Sequence, residues 1–331
     1  MTALNQPTTL HDTAILGVGA YRPRRVVPNA EIVERINSSD EWIRTRSGIT
    51  SRRWAEEDET VQMMAVSSSL QALEHAGLAA SDIDVVIVST VTHMMQTPSA
   101  AALIADEIGA TPAAAFDVSA ACAGFCYGVA MGSDMVRVGT ARHALVIGVE
   151  RLSDITNADD RATAFLFADG AGAVVVGPSS VAGIGPVVWG SDGSKGELIQ
   201  SDQTWTEAHK NHTWPNLEMQ GNPVFRWASF EMAKIAQRAL DAAGVTAEQL
   251  DLFVPHQANN RITDAMARTL KLPATVTIAR DIVDQGNTSA ASIPLALRRM
   301  IDDGEAKSGD TALLIAFGAG LVYAAQVVTM P

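Results

Sequence analysis

Hydrophobic residues along the chain are grouped in short continuous runs, and amphipathic stretches separate these runs. The clearest runs are divided between the two halves of the chain: 85–88, 144–149, 172–176, 252–254, 312–317 and 323–328. A continuous apolar run is typical of a strand that is buried on both faces, and the amphipathic stretches predict helices. The pattern therefore predicts an α/β protein in which helices are layered against its sheets.

One helix–turn–strand pattern occurs twice. Residues 72–84 and 239–251 align without a gap at an offset of 167, and six of the thirteen positions are identical. In both copies an amphipathic helix ends at an Ala-Gly pair, and a short capped turn leads to an apolar strand. Chance similarity between two common units is the alternative to duplication. We predict two duplicated halves, 12–178 and 179–331, after a flexible N-terminus at 1–11.

The same offset relates two predicted strand-to-helix turns. Adding 167 to Cys122 gives Ser289, which lies two residues after Asn287. A pseudo-twofold axis between the halves would bring the two turns together at the carboxyl ends of the strands. α/β sheets place their chemistry at that edge.

Cys122 is the first candidate for chemistry. An extended run at 116–119 is followed by small residues that open a helix. The positive end of a helix dipole lowers the pKa of a thiol from about 8.5 and favours the nucleophilic thiolate. We interpret Cys126, one turn further along, as a core residue. An ordinary buried cysteine is the alternative for Cys122.

Three further segments place polar or glycine-rich turns after predicted strands. PHQAN at 255–259 presents His256 and Asn259, and GNTSAAS at 286–292 presents Asn287 at the start of a helix. A core histidine and a helix N-cap are the structural alternatives. FGAG at 317–320 would expose unpaired backbone N–H groups, which an oxyanion site requires.

Taken in order, these segments resemble β-ketoacyl-acyl carrier protein synthase III. The similarity includes SDEWI at 39–43 and FADGAG at 167–172, and so extends over nearly the whole chain. The resemblance implies the thiolase-like five-layered αβαβα fold and a homodimer. It also implies decarboxylative Claisen condensation of an acyl-coenzyme A primer with malonyl-acyl carrier protein. The product is a 3-oxoacyl-acyl carrier protein that initiates fatty-acid synthesis, and no metal or organic cofactor is needed.

The resemblance also assigns roles to individual residues. Those implied to be catalytic are Cys122, His256 and Asn287, with the backbone N–H groups of Cys122 and Ala319 as the oxyanion hole. Those implied to bind coenzyme A and its pantetheine arm are Trp42, Arg46, Arg161, Phe225 and Asn259. We expect the acidic carrier protein to dock on a basic patch formed by Arg261, Arg268 and Lys271 on the helix after His256, with Arg226 nearby in the family arrangement; ordinary solvated charges are the alternative. Solvated arginines and a packed surface tryptophan are the alternatives for the binding residues.

Thr97 matches the family position at which one subunit closes the far end of the other subunit's acyl pocket. A phenylalanine at that position accompanies selectivity for acetyl primers. Threonine removes most of that wall, so we expect branched primers of four or five carbons to be used at least as well as acetyl. A simple loop residue is the alternative interpretation of Thr97.

Other enzyme classes fit the residues less well. Thiolases proper use a second catalytic cysteine in the C-terminal region, and no cysteine follows Cys126. Elongating ketosynthases carry a second histidine where Asn287 stands. The Gly17-Val18-Gly19 sequence lacks the third glycine of a dinucleotide fingerprint, since Arg22 occupies that place. A starter-unit ketosynthase or acyltransferase of polyketide metabolism is the alternative function, and a non-catalytic paralogue would be expected to lack Cys122.

Composition narrows the possible partners. The formal net charge of −13 argues against nucleic-acid binding and requires a local basic patch for any acidic partner. The sequence contains no apolar run of eighteen residues, the length that would predict a membrane span. The polar start at 1–11 does not resemble a secretory signal, so we expect a cytoplasmic protein. The spacing of Cys122 and Cys126 suits neither a disulfide framework nor a zinc site. We interpret 204–214, which contains His209 and His212, as a solvated loop rather than a metal site.

Overall fold

The computed structural model describes residues 10–331. Residues 1–9, most of the segment predicted to be a flexible N-terminus, lie outside the described residues. The strands are β1 (Asp12–Tyr21), β2 (Arg25–Pro28), β3 (Ser51–Trp54), β4 (Val85–Ser89), β5 (Ala114–Val118), β6 (Ala144–Arg151), β7 (Asp169–Ser179), β8 (Val188–Ser191), β9 (Ile199–Ser201), β10 (Leu217–Met219), β11 (Leu252–Pro255), β12 (Thr277–Ile278), β13 (Thr311–Gly318) and β14 (Val322–Thr329). The helices are α1 (Asp40–Ser47), α2 (Val61–Ala76), α3 (Ala100–Glu107), α4 (Gly124–Arg137), α5 (Trp205–Asn211), α6 (Gly221–Ala243), α7 (Asn260–Thr269), α8 (Ile282–Gln285) and α9 (Ser292–Asp302).

Two five-stranded sheets share one topology. The strand order is β1-β7-β6-β4-β5 in the first sheet and β8-β14-β13-β11-β12 in the second. In both sheets the first two pairings are antiparallel and the last two are parallel. The identical order and directions confirm the duplication. The first sheet ends at Ser179 and the second begins at Val188, and the boundary at 178/179 stays a prediction.

The helices and sheets alternate in five layers. α4 contacts strands of both sheets, and α9 contacts β7 of the first sheet and β11 of the second, so these two helices form the central layer. α2 and α3 cover the outer face of the first sheet, and α6 and α7 cover that of the second. The predicted αβαβα fold is confirmed. Cys126 is fully buried in the central layer, as its position in the sequence predicted.

Glycines end the two related helices at corresponding places. α2 stops at Ala76 and is followed by Gly77 with φ 66°, and α6 stops at Ala243 and is followed by Gly244 with φ 68°. Both angles lie in the left-handed region, which glycine adopts without steric cost. The helix ends predicted at the Ala-Gly pairs are therefore confirmed in both halves.

Gly17 and Gly19 serve packing between β1 and α2. A Cβ atom on Gly17 would lie 2.3 Å from the carbonyl oxygen of Ala72, and one on Gly19 would lie 2.1 Å from that of Ser68. Any side chain at either position would push the helix away from the strand. These glycines are therefore explained by the close approach of α2.

The segment interpreted as a solvated loop contains a helix, so that interpretation was wrong. α5 begins after Thr204, whose side chain accepts a hydrogen bond from the N–H of Glu207, while the Glu207 carboxylate accepts one from the N–H of Thr204. This reciprocal capping box stabilises a first turn even in a polar stretch. Within residues 10–331, none of the helices combines the length and the apolar character needed to cross a membrane.

Candidate active site

Two short turns meet at the carboxyl ends of the strands, as the repeat predicted. The 3₁₀ turn Ala121–Ala123 leads into α4, and the 3₁₀ turn Ser289–Ala291 leads into α9. The turns contact each other, and their first residues have positive φ angles, 43° at Ala121 and 49° at Ser289. The duplicated architecture therefore brings one turn from each half of the chain together at the same place.

Cys122 lies against the end of β13. A Cβ atom on Gly318 would lie 2.7 Å from the backbone nitrogen of Cys122 and 3.1 Å from its Sγ, so only glycine permits this approach. The turn that begins at Ser289 contacts the turn that carries this thiol, and the Ser289 side chain acts to lower the thiol pKa. Burial raises the pKa of the Cys122 thiol to about 12, and the hydrogen bonds to it offset only part of that effect. Burial of the thiol therefore acts against the lowering of its pKa that was expected from the helix dipole.

His256 continues β11 and is held from two sides. Its backbone N–H donates to the carbonyl oxygen of Ile315 at 2.7 Å, and its ring meets the ring of Phe317 edge-on at 5.6 Å between centroids. Its Nδ1 lies 2.7 Å from Oγ of Ser292. Burial lowers the pKa of His256 to about 3, so the imidazole is neutral near pH 7.

The hydrogen bonds of Ser292 indicate which nitrogen of His256 carries the proton. Oγ of Ser292 also accepts a hydrogen bond from the backbone N–H of Gln257 at 3.3 Å. The hydroxyl proton can then be donated to Nδ1 of His256, which leaves the imidazole proton on Nε2. We infer that Nε2–H is the free donor of His256.

Asn287 is fixed by its backbone and by its side-chain oxygen. Its N–H donates to the carbonyl oxygen of Leu166 and its carbonyl oxygen accepts from the N–H of Ala168, both at 2.9 Å. Its Oδ1 accepts from the N–H of Ser289 at 2.9 Å. This bond occupies the oxygen of the amide and leaves the Nδ2 hydrogens for a ligand.

One cavity of about 510 Å³ joins the predicted catalytic and binding residues. It is lined by Cys122, His256, Asn287 and Ala319, together with Trp42, Arg46, Arg161, Phe225 and Asn259. The structure thus brings together every residue that the sequence assigned to catalysis or to coenzyme A. Their individual roles stay predictions.

Cations lie over aromatic rings in this cavity. The guanidinium carbon of Arg161 is 4.9 Å from the centroid of the Trp42 ring, and that of Arg46 is 5.7 Å from it. Arg261 stands 4.6 Å over the ring of Phe225. Such pairs suit a ligand with a planar ring and anionic groups, since the ring can stack while the cations bind the charge.

Asn259 connects the cavity to the helix that carries Arg261. Its side-chain oxygen caps α7 by accepting from the N–H of Arg261 at 2.9 Å, and its Nδ2 donates to the carbonyl oxygen of Arg46 at 2.9 Å. Asn259 therefore caps α7 and lines the cavity at once. α1 and α7 are tied together across it.

The residues assigned to docking are exposed, and only one of them lines the cavity. Arg226, Arg261, Arg268 and Lys271 are all on the surface, and within residues 10–331 none of them forms a salt bridge. Thr97 is also exposed and does not line the cavity of its own chain. Its predicted role in the pocket of a second subunit stays a prediction.

Three residues near Cys122 and His256 were not assigned a role from the sequence. Ser292 and Ser289 belong to the GNTSAAS segment, which was noted only for Asn287. Glu150 directly follows the apolar run 144–149 and is fully buried. A carboxylate at the carboxyl end of a buried strand was the signal available in the sequence, because that edge carries the chemistry.

Comparison with known proteins gives consistent matches. The family model described as 3-oxoacyl-[acyl-carrier-protein (ACP)] synthase III matches residues 116–193, and the model of its C-terminal part matches residues 240–330. The chain is 60% identical over 319 residues to the β-ketoacyl-[acyl-carrier-protein] synthase III of Streptomyces glaucescens, covering 96% of each chain. It is 51% identical to that of Mycobacteroides abscessus, covering 100% of this chain and 98% of the relative.

Solved structures resemble the chain over its whole length. The priming β-ketosynthase from the R1128 polyketide biosynthetic pathway superposes with a TM-score of 0.97 at 48% identity, covering 100% of this chain and 99% of that one. The 3-oxoacyl-[acyl-carrier-protein] synthase III of Aquifex aeolicus superposes with a TM-score of 0.89 at 38% identity, covering 96% and 100%. The chain therefore belongs to the β-ketoacyl-acyl carrier protein synthase III family of condensing acyltransferases, as its sequence motifs predicted.

Proposed function

We propose that this enzyme joins an acyl-coenzyme A primer to malonyl-acyl carrier protein by decarboxylative Claisen condensation. The product is a 3-oxoacyl-acyl carrier protein, the first intermediate of fatty-acid synthesis. The observation that carries the proposal is the convergence of Cys122, His256 and Asn287 in one cavity whose wall also carries the Trp42 and Arg161 pair. A nucleophile, two neutral hydrogen-bond donors and a site for a planar anionic ligand match the needs of this reaction.

In the first half-reaction, Sγ of Cys122 attacks the thioester carbonyl of the primer. The backbone N–H groups of Cys122 and Ala319 hydrogen-bond the oxyanion, and coenzyme A leaves as its thiolate. The contact between Gly318 and Cys122 supports this assignment, since it places the end of β13 directly beside the sulfur. Trp42, Arg46 and Arg161 bind the nucleotide end, while Phe225 and Asn259 contact the pantetheine arm.

In the second half-reaction, the malonyl group loses carbon dioxide and its electron pair forms an enolate. Nε2–H of His256 and Nδ2–H of Asn287 hydrogen-bond the enolate oxygen, and the enolate carbon then attacks the acyl group on Cys122. The neutral state of His256 and the bond from Ser289 to Oδ1 of Asn287 support both donor roles. The proposed steps use protein groups and the two thioesters, and they need no metal or organic cofactor.

We also propose that the enzyme is a homodimer in the cytoplasm. Met94 and Met95, which precede Thr97, are 37% and 53% exposed, and Val91 is 38% exposed. A cluster of exposed apolar side chains is typical of a surface that a partner covers. Sedimentation at micromolar concentration tests the dimer, and a stable monomer would contradict it.

A starter-unit ketosynthase of polyketide metabolism is the second candidate. The high structural similarity to the R1128 priming ketosynthase favours it, because that protein shares the whole fold. Both candidates predict the same chemistry at Cys122, so the carrier protein distinguishes them.

Product formation with two carrier proteins tests both candidates. Purified enzyme is supplied with a panel of acyl-coenzyme A primers and with malonyl thioesters of the fatty-acid or the polyketide carrier protein. Higher kcat/KM with the fatty-acid carrier protein is expected. Preference for the other carrier would favour the second candidate, and no condensation with either would contradict both.

A further inference from the structure

Glu150 is a buried carboxylate that the proposed half-reactions do not use. It lies at the end of β6 and is fully buried, and its four hydrogen-bond partners are uncharged. Its neighbour Arg151 pairs with Asp154 at 3.2 Å instead. Within residues 10–331 Glu150 has no ion-pair partner, and a buried carboxylate without one is energetically costly, so Glu150 is a candidate for a functional role.

The two oxygens of Glu150 have different surroundings. Oε2 accepts hydrogen bonds from the N–H of Val91 at 3.1 Å and from the hydroxyls of Thr92 at 2.8 Å and Thr90 at 3.3 Å. Oε1 accepts from the hydroxyl of Ser289 at 3.2 Å. Oε2 is thus anchored, while Oε1 faces one hydroxyl that can exchange its proton.

Ser289 connects this carboxylate to the nucleophile. Its hydroxyl donates to Oε1 of Glu150 at 3.2 Å, and its turn, Ser289–Ala291, contacts the turn Ala121–Ala123 that carries the Cys122 thiol. A hydroxyl can accept one hydrogen bond while it donates another, so Oγ of Ser289 can pass a proton from Sγ of Cys122 to Oε1 of Glu150. Cys122 is the titratable group at the other end of this path. The other groups that face Glu150 are Thr90, Val91 and Thr92, which follow β4 and are uncharged.

We propose that Glu150 takes the thiol proton of Cys122 through Ser289 during acylation and returns it after condensation. This inference rests on the proposed function. When Sγ attacks the primer, the thiol proton moves to Ser289, and the hydroxyl proton of Ser289 moves to Oε1. Coenzyme A leaves as a thiolate and takes its proton from solvent. When the enolate later displaces Cys122 as a thiolate, Glu150 returns the proton along the same path.

Two observations support the need for such an acceptor. The Cys122 thiol is protonated near pH 7, because burial holds its pKa far above that pH. Burial also raises the pKa of Glu150 to about 7, which makes this carboxyl a much better match for proton transfer near neutral pH than an exposed glutamate. His256 is a poor acceptor here, because burial strongly disfavours its charged form.

The pH dependence of Cys122 reactivity tests this relay. The acylation rate is measured between pH 5.5 and 9 from coenzyme A release in a single turnover, and alkylation by iodoacetamide is measured in parallel. In the wild type both rates should rise with pH, inflect near pH 7 and level off, since Glu150 accepts a proton only when ionised. Glu150→Gln and Ser289→Ala should each lower the rate at pH 7.5 by about 10²-fold or more and remove the inflection.

Matched variants separate the relay from effects on folding. Asp169→Asn makes the same change at another buried carboxylate, one that bonds Ser153 and the N–H of Ala55, and it should keep the inflection. Thr92→Val removes a donor to Oε2 and should move the inflection to higher pH, because a lost hydrogen bond raises a carboxyl pKa. Thr92→Val also keeps the test decisive if Glu150→Gln does not fold.

The result that would contradict the relay is a faster alkylation rate in Glu150→Gln. The negative charge of Glu150 alone raises the thiol pKa, so a purely electrostatic role predicts that Glu150→Gln is alkylated faster than the wild type. Faster alkylation, or an inflection near pH 7 that survives in either relay variant, would overturn the proposal. If the wild type forms no acyl-enzyme with any primer, the proposed function fails, and the alkylation profile still decides the relay.

Discussion

Nδ1 of His256 lies 2.7 Å from Oγ of Ser292, so the first residue of α9 orients the imidazole at the end of β11. We expect Ser292→Ala to lower the decarboxylation rate roughly fivefold, which corresponds to about 1 kcal/mol for one hydrogen bond. Acylation should be unchanged, because His256 acts after it. Ser133→Ala is the matched control, since Ser133 is a buried serine of α4 that bonds Thr13 outside the site. Equal effects of both variants would show that Ser292 does not orient His256 for decarboxylation.

Cys122 and Cys126 should differ sharply in function. Cys122→Ser should abolish acyl transfer from coenzyme A, whereas Cys126→Ser should leave it nearly intact, because Cys126 is enclosed in the central core. Intact-mass measurement after incubation with a primer, followed by peptide mapping, locates the acyl group. An acyl group on Cys126 would contradict the assignment.

His256→Ala and Asn287→Ala should impair decarboxylation much more than acylation. Each removes one donor to the enolate oxygen, and the loss of such a donor lowers the rate by about 10²–10³-fold. Because burial lowers the pKa of His256 to about 3, the wild-type decarboxylation rate should not fall through protonation of His256 between pH 8 and pH 5. Release of labelled carbon dioxide measures this step, and its survival in both variants would be incompatible with the roles proposed here.

Arg261→Glu should raise the KM for malonyl-acyl carrier protein several-fold, and added salt should have a similar effect on the wild type. The carrier protein is acidic, and Arg261 and Arg268 lie seven residues apart on α7, with Lys271 just after the helix, on a chain of net charge −13. Arg238→Glu makes the same charge change on α6, about 18 Å along that helix from Arg226, and should have little effect.

The KM for acyl-coenzyme A distinguishes docking from a general effect. Arg261 also lines the cavity through its contact with Phe225, so its replacement alone is ambiguous. Arg268→Glu lies outside the cavity and should affect only the carrier-protein substrate. Equal increases for both substrates would argue against docking on α7.

Thr97→Phe should depress turnover with isobutyryl-coenzyme A much more than with acetyl-coenzyme A. Each additional buried methylene of a primer contributes about 0.8 kcal/mol, or roughly fourfold in affinity, as long as the pocket can hold it. The ratio of kcat/KM for the two primers is the measurement. An unchanged ratio would show that Thr97 takes no part in primer selection.

Local sequence signals predicted the parts of the site that lie at strand ends. Cys122 and His256 could be found because each follows a recognisable strand and precedes a helix, and Asn287 because it lies in a glycine-led turn that enters a helix. Glu150 and Ser289 are 139 residues apart, and only the contact between the two halves makes them neighbours. A contact between residues that far apart in the chain produces no periodic pattern in a single sequence, so it could not be predicted.

The pKa of Cys122 could not be predicted for a related reason. The dipole of α4 is a local feature, whereas the protein that encloses the thiol includes Gly318 from the other half of the chain. The capping box of Thr204 and Glu207 was, in contrast, visible in the sequence and would have predicted α5. The predicted role of Thr97 concerns the pocket of a second subunit, which a single chain does not contain.

The central layer of helices also determines when the enzyme becomes active during its synthesis. α4 needs the second sheet to cover one of its faces, and the core around it contains side chains from both halves. A ribosome-bound chain that has completed only the first sheet would therefore expose apolar surface beside an unfinished site and would be a substrate for chaperones. Cys122 gains its protein enclosure and its catalytic partners only when α9 and β13 dock, so the nucleophile is assembled in one of the last steps of folding.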